Sequence, residues 1–458
     1  MILRRPRPVV QWRSRTTFVM ALAASAVGFG NIWRFSYLAG ENGGGFFVLA
    51  YLACLFLVAV PVLVAEVVIG THGRASPVAA VEAASDSSLV SRGWKMIGLL
   101  ACLAALLLVS YYVVVAGWAL AYTGKMQSGE FSAASVLIVG ESFEEFLRSP
   151  RVLVYWQSLF LLVAGGVVAA GVRRGVGLAA WLLVPAMLAV LAVLIDYSLT
   201  YGDLAAAKDF LFEVKPIDFT AESVLVALVY AFYTLGIGVG VGIIYGAYAP
   251  DRIPVGRSVV AVAVFDTLVS LGAGLAIYPL IFANNLEPSM GPGLLFISIP
   301  YAFGNLPEGE VFGVLFFVMV LLAALGSVIA LMEPVTAYVM QRTGLFRLPS
   351  AVIVTLVVWG LGVGSALSFN TWRDTGWFGD LNFFAILEGA TTDLLLPLVC
   401  LYLALFVGWR MRPEILREEL YRESRQFFAL WRFLLRYIVP VAIVVILLVT
   451  QMNSQTAA

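Results

Sequence analysis

Two short stretches of an otherwise apolar chain carry residues that could do chemistry. In Ala26–Phe35, AVGFGNIWRF, Gly28, Gly30, Asn31 and Arg34 interrupt a hydrophobic run. In Leu228–Tyr248, LVYAFYTLGIGVGVGIIYGAY, Gly236, Gly238, Gly240 and Gly242 recur at every second position. Glycine costs a helix about 0.8–1 kcal/mol relative to alanine, so four in so short a stretch predict a break. Close packing of small residues is the alternative, but a spacing of two sets them around a helix rather than along one face. They do not match a dinucleotide fingerprint either: the G-x-G-x-x-G spacing fails and no strand precedes them. Backbone freed at paired breaks offers carbonyls to a cation and helix N-termini to an anion. Asn31 and Thr234 add an amide and a hydroxyl oxygen, the donors a hard cation such as sodium takes.

The charged residues inside apolar runs extend this set. Arg34 costs about 2.5–3.5 kcal/mol to insert in a span and needs a partner, for which Glu388 is the natural candidate. Glu66 reads as a hydrogen-bond acceptor for unwound backbone, with proton carriage as the other role. Asp266 reads as a fixed anion beside a cation, or as an interhelical hydrogen-bonding group. Cys54, Cys102 and Cys400 lie singly in apolar runs and read as packing residues. His72 is the only histidine, which rules against a His-rich metal site or a His-based triad. Ser327 and Tyr112 have no histidine or lysine base in the constellation, so an enzyme is not expected.

The elements that must position these residues are membrane spans. Of 458 residues, 61% are hydrophobic and 12% charged, against about 25% charged in soluble domains. Zero net charge and the lack of any long basic run give nucleic acid no footprint. About 20 apolar residues cross a bilayer, and runs of that length occur near 17–38, 46–70, 96–123, 152–171, 176–198, 223–249, 257–283, 311–341, 350–367, 382–409 and 430–450. Arg4, Arg5, Arg7, Arg13 and Arg15 are expected to hold the N-terminus in the cytoplasm, with no cleavable signal peptide. Alternate loops then hold Arg74, Arg92 and Lys95; Arg173 and Arg174; Arg252 and Arg257; Arg342 and Arg347; and a further set from Arg410 to Arg436. The intervening loops are acidic, at Glu141, Glu144 and Glu145, then Asp203 to Asp218, then Glu287, Glu308 and Glu310. The reading is an all-α polytopic membrane protein of eleven transmembrane helices, N-terminus cytoplasmic and C-terminus extracellular. Its parts are an arm (1–16), a five-helix repeat (17–198), an extracellular loop (199–222), a second repeat (223–409), a cytoplasmic amphipathic link (410–429) and an eleventh helix with the C-terminus (430–458). Spans one and six, the broken ones, fall at matching places in inverted repeats 1–5 and 6–10.

Together AVGFGNIWRF, ENGGGFF and VPVLVAEVVIG resemble the neurotransmitter:sodium symporter family, in particular its bacterial amino-acid transporters of the leucine-transporter type. Later stretches continue the likeness in order: YAFYTLGIGVG, VFDTLVSLGAG, GPGLLFISIPYAF and LLAALGSVIALMEP. The resemblance implies a first sodium site from the Ala26 carbonyl, Asn31, Thr234 and Asp266, with the Asp266 carboxylate removing any need for chloride. It implies a second from the carbonyls of Ala24, Val27 and Ala323 and the Ser327 hydroxyl. The substrate carboxylate would meet backbone N–H groups around Gly28, Phe29 and Gly30, the Tyr112 hydroxyl and the first sodium. Leu108, Phe232, Tyr233, Gly236, Val239, Ser327 and Leu331 would line its side-chain pocket. Arg34 and Glu388 would form the outer gate with Tyr233 as lid. Trp12 and Tyr248 are further candidates, and Gly175 and Pro185 resemble a Gly-x9-Pro element tied to cytoplasmic unwinding and sodium release.

Several residues depart from the family pattern. Gly326 stands where relatives carry a hydroxyl, which is expected to weaken the second sodium site. Val9 and Gln341 replace an arginine and an aspartate that latch the cytoplasmic side, so a larger inward-open population is expected unless Arg7 or Arg342 compensates. Glu388 replaces aspartate, Ser36 a proline, and Tyr230 a glutamine. Gly236 and Val239 enlarge a pocket with no charge in its side-chain half. The expectation is a sodium-coupled symporter for a hydrophobic or aromatic amino acid, embedded in the plasma membrane. Proton coupling and a substrate-binding homologue without transport are the alternatives. No protein partner is indicated.

Overall fold

The computed structural model describes residues 10–456, apart from 289–290, 374 and 378–380. Among these residues the chain is helical, with one isolated antiparallel bridge between Gly44 and Val214. Among the described residues, nine helices are long and apolar enough to cross a membrane. In our numbering they are α3 (Gly45–Gly73), α5 (Arg92–Gln127), α7 (Pro150–Ala170), α8 (Val172–Tyr201), α12 (Val255–Ala283), α14 (Gly309–Thr343), α15 (Arg347–Leu367), α16 (Phe383–Arg410) and α18 (Arg425–Thr450). A tenth span is a bent pair, α1 (Arg15–Ala26) and α2 (Phe29–Glu41), whose axes differ by 60°. The sixth run of the sequence is also two helices, α10 (Ala221–Thr234) and α11 (Val241–Tyr248), each too short to span alone. The structure thus gives nine to ten spans by length, against the eleven apolar runs, because one run is divided at its glycines.

Shorter helices join the spans: α4 (Pro77–Ser87), α6 (Val136–Arg148), α9 (Leu204–Phe212), α13 (Leu294–Gly304) and α17 (Pro413–Glu419). The link read as an amphipathic helix holds α17 and then the start of α18, which runs on without interruption into the last span.

Contacts between loops fall into two groups. In one, the Trp12 indole N–H donates to the Val172 carbonyl, Arg74 pairs with Asp251, and His72 approaches Glu419. In the other, the Asp203 N–H donates to the Pro279 carbonyl and the Ala133 N–H to the Gly304 carbonyl. Helices α5 and α14 pack along each other, and α11 lies against α3. Both breaks lie within this packed centre, where Val27, Phe29, Ile237 and Val239 are all buried. Gly175 lies in a π-helical turn, Val172–Gly177, and Pro185 inside α8, so that element is wound in this structure.

Candidate functional site

The two breaks have different causes. In the first, Val27 and Gly28 adopt extended backbone, and the N–H of Gly28 donates to the Asn31 side-chain oxygen at 2.8 Å. Helix α2 therefore starts at Phe29, with Gly28 as its extended N-cap. In the second, Gly236, Gly238 and Gly240 take φ of +61°, +84° and +72°. Side chains with a Cβ rarely occupy that region, so the alternating glycines are a conformational requirement. Unwinding, rather than small-residue packing, is what the period of two encodes.

The N–H groups this break releases are satisfied by Glu66. Its fully buried carboxylate accepts from the Gly238 N–H at 2.9 Å and the Gly242 N–H at 3.0 Å. Of its two sequence readings, the geometry matches the backbone acceptor.

Asp266 joins the breaks to each other. Its carboxylate accepts from the Asn31 amide at 2.7 Å, the Thr234 hydroxyl at 2.8 Å and the Tyr51 hydroxyl at 3.3 Å, and it is wholly buried. The Asn31 amide also donates to the Ser270 hydroxyl at 2.8 Å. A carboxylate, an amide and a hydroxyl thus converge, with the Asn31 NH2 turned to Asp266 and Ser270 and its oxygen to the Gly28 N–H; the carboxylate and hydroxyl oxygens are of the kind a small hard cation takes. Tyr51 and Ser270 were not foreseen from sequence; both sit in apolar runs without a spacing signal.

A cavity of about 610 Å³ opens next to this cluster. Its walls include Ala26, Gly28, Phe29, Gly30, Asn31, Leu108, Tyr112, Tyr233, Thr234, Gly236, Val239, Ser327 and Leu331, all named from sequence. Phe232 is the exception: it is fully buried against Tyr233 and is not among the lining residues. Tyr112 accepts the Phe29 N–H at 3.1 Å, so its hydroxyl stands at the N-terminus of α2. Tyr233 reaches across the cavity, its hydroxyl donating to the Thr392 carbonyl at 2.8 Å.

Arg34 and Glu388 line the same cavity, yet among the described residues no ion pair within 4.0 Å joins them. Asp393 lines it as well, with its carboxylate 3.1 Å from the Thr392 hydroxyl. On an ideal helix Glu388 and Asp393 would point about 140° apart. The π-helical turn Ala390–Leu395 brings them to one cavity, and no feature of the sequence announces such a turn. Val449 and Thr450 of the last helix complete that wall.

The second oxygen cluster is tighter. The Ser327 hydroxyl donates to the Val27 carbonyl at 2.9 Å and approaches the Ala323 carbonyl at 3.3 Å. A Cβ at Gly326 would stand 2.5 Å from the Ala24 carbonyl oxygen. The missing hydroxyl at 326 is therefore accompanied by missing space, because α14 and α1 touch there through backbone. Gly326→Thr is accordingly expected to destabilise the protein by about 1–3 kcal/mol, the usual cost of overpacking, without strengthening sodium binding. Thermal unfolding in detergent, with and without sodium, measures both; a more stable variant with higher sodium affinity would contradict this.

The end of the molecule that carries Trp12 is closely packed. Trp12 is 3% exposed, donates its backbone N–H to the Tyr248 carbonyl at 2.8 Å, and packs edge-on against Tyr245 and Tyr248. Below it Glu333, wholly buried, is gripped by both terminal nitrogens of Arg347, at 2.9 and 2.5 Å, and by the Tyr248 hydroxyl at 2.5 Å. Gln341, read as a lost latch, accepts from the Ser76 hydroxyl. Val9 and Arg7 lie outside the described residues, and Arg342 forms no ion pair among them. Glu333 and Arg347 supply a charge pair where the sequence reading found a latch missing. Glu333 carried a signal, an acid inside an apolar span, that passed unused.

A polytopic helical protein with two broken helices meeting at a buried oxygen cluster and a cavity is built as a transporter. Comparison with known proteins gives the family. A model of the sodium:neurotransmitter symporter family matches residues 9–136 and 125–458. The chain belongs to that family and is a sodium-dependent transporter, not an enzyme. It is 33% identical over 442 residues to YhdH, a sodium-dependent transporter of Bacillus subtilis, covering 96% of this chain and 97% of the relative. A sodium-dependent nutrient amino acid transporter of Drosophila mojavensis is 26% identical, over 72% of this chain and 60% of its own length. Among solved structures, MhsT in complex with L-phenylalanine superposes with a TM-score of 0.86 at 34% identity, over 96% of this chain and 99% of that one.

Proposed function

We propose that this protein imports an amino acid with a hydrophobic or aromatic side chain, coupled to sodium, by alternating access across the plasma membrane. The observation that carries the reading is the junction of the two broken helices, where the Asp266–Asn31–Thr234 cluster borders a cavity with apolar walls. The match to MhsT holding L-phenylalanine supports the substrate class.

The substrate carboxylate sits at the N-terminus of α2, where the N–H groups of Phe29 and Gly30 and the Tyr112 hydroxyl favour negative charge. The first sodium lies among the Ala26 carbonyl, the Asn31 amide oxygen, the Thr234 hydroxyl and Asp266, next to that carboxylate. Each charge lowers the cost of burying the other, which couples the two binding events. Asp266 supplies the fixed negative charge, so chloride is not required. The carbonyls of Ala24, Val27 and Ala323 with the Ser327 hydroxyl form a second, weaker sodium site. Leu108, Val239, Leu331 and their neighbours take the side chain.

Counting the divided α10–α11 pair as one span gives eleven spans. The two broken spans then stand at equivalent places in two five-helix inverted repeats, with α18 as the extra helix. With the N-terminus in the cytoplasm, the cavity faces outwards, the Trp12 face is the closed inner gate, and closure brings Arg34 to Glu388 beneath which Tyr233 acts as lid. Arg34 then leaves water for a charged partner, which favours closure only with substrate and sodium beneath it.

Sodium-dependent binding tests the reading: radiolabelled L-phenylalanine is expected to bind the purified protein in sodium and to lose most binding in potassium. Equal binding in both salts would count against it. Val239→Phe places a ring in the cavity wall and is expected to weaken phenylalanine binding relative to alanine by about 10-fold or more. Competition measurements on the variant read this directly; an unchanged ratio would remove Val239 from the pocket.

A further inference from the structure

At the junction of the link with the last span, the end of α16 packs on the start of α18, and this contact carries three arginines, one closing α16 and two on α18. Arg410 ends α16, and Arg432 and Arg436 lie on consecutive turns of α18. None of the three forms an ion pair within 4.0 Å among the described residues. Arg432 Nε is shielded from solvent with no hydrogen-bond partner, and its charged neighbours are Arg436 and, of opposite sign, Glu414. By contrast Arg257 pairs with Glu423, and Arg417 donates to the Glu423 carbonyl.

Aromatic side chains frame the cluster. The Arg436 guanidinium lies over the Trp409 indole, 5.3 Å from its ring centroid, and the Trp409 N–H donates to the Arg436 carbonyl at 3.2 Å. Tyr437 stands edge-on to Trp409 at 5.5 Å and against Phe433 at 5.3 Å. These three rings are about half exposed, at 50%, 48% and 51%. Tyr421 of the same link reaches the Arg252 carbonyl, next to the Asp251 that pairs with Arg74, so the cluster lies at the end of the molecule that carries Trp12. Half-exposed Trp and Tyr at the end of a span mark the headgroup level of a bilayer. Guanidinium groups there match phosphate oxygens in charge and in fork geometry.

We propose that Arg410, Arg432 and Arg436, with Trp409 and Tyr437, form a binding site for the phosphodiester headgroup of one anionic phospholipid. The lipid adds negative charge to the Arg432–Arg436 pair, which forms no ion pair with the neighbouring Glu414, and it reinforces the α16–α18 contact that the Arg436 Nε bond to the Gly408 carbonyl already makes.

Trp409 fluorescence tests this with the full chain in nanodiscs. The Trp409 signal is the difference between the natural protein and Trp409→Phe. Its quenching by brominated phosphatidylglycerol is compared with quenching by brominated phosphatidylcholine at equal mole fraction. The expected ratio is about threefold, reflecting enrichment of the anionic lipid at the site. Arg432→Gln/Arg436→Gln is expected to bring it to one, while Arg417→Gln leaves it unchanged. If the double variant does not fold, Arg410→Gln alone is expected to lower the ratio. A ratio of one in the natural protein overturns the proposal, as does a ratio that survives every cluster variant. Relief of quenching by millimolar inorganic phosphate overturns the lipid assignment and makes the cluster a free-anion site.

Discussion

Asp266→Asn is expected to lower the apparent sodium affinity of substrate binding by about 100-fold or more. The carboxylate is wholly buried, with one oxygen facing the Asn31 amide and the other the Thr234 and Tyr51 hydroxyls; in the variant the amide oxygen can keep the Asn31 bond while the new NH2 meets the two hydroxyls, which can turn to accept. What the variant removes is the negative charge. Losing one member of a buried charge pair costs about 3–5 kcal/mol, and each 1.4 kcal/mol is a factor of ten in affinity. Sodium titrations of L-phenylalanine binding measure the shift. A fold-level failure would instead abolish the thermal transition of the variant, so the two causes separate. An unchanged sodium dependence would place the cation elsewhere.

Arg347→Ala is expected to open the closely packed end that carries Trp12. The guanidinium grips Glu333 through both terminal nitrogens and also donates its Nε to the Val168 carbonyl at 2.7 Å, tying α14, α7 and α15 together. Its loss leaves Glu333 buried with only the Tyr248 hydroxyl, and an uncompensated buried charge costs about 3–5 kcal/mol. States in which water reaches Glu333 then become favoured by a factor of about 100 or more. Spin labels at positions Arg13 and Arg342, in a cysteine-free background, report the opening as a longer distance. The double variant Glu333→Gln/Arg347→Ala removes both charges and is expected to lie closer to the natural distribution. Identical distances in the single variant and the natural protein would show that this pair is not part of the inner gate. Sequence reading led instead to a weakened latch, since the familiar positions, Val9 and Gln341, carry no charge.

What was legible in the sequence follows from how membranes constrain a chain. Length of apolar run and sign of loop charge are one-dimensional signals, and the spans emerge from them directly. The break at Gly236–Gly240 was legible because positive φ demands glycine at particular positions, which leaves a pattern of period two. Asn31, Thr234 and Asp266 stood out because polar groups in a span need a reason. The misses share a physical cause as well. Helices that are apolar all round have no face to read, so a π-helical turn such as Ala390–Leu395 rotates Asp393 into the cavity unannounced. Glu333 and Arg347 are 14 residues apart, one inside a span and the other at the start of the next, and only their packing shows them to be one unit. Gly326 read as an absent ligand, whereas the Ala24 carbonyl at its Cβ position shows a helix contact that the sequence does not encode.

The most direct test of the account is uptake of L-phenylalanine into proteoliposomes under an inward sodium gradient, against an equal potassium gradient. Accumulation above the external concentration in sodium, absent in potassium and in Asp266→Asn, is the predicted result. Accumulation that follows a proton gradient and ignores sodium, or binding without any accumulation, would contradict sodium-coupled import.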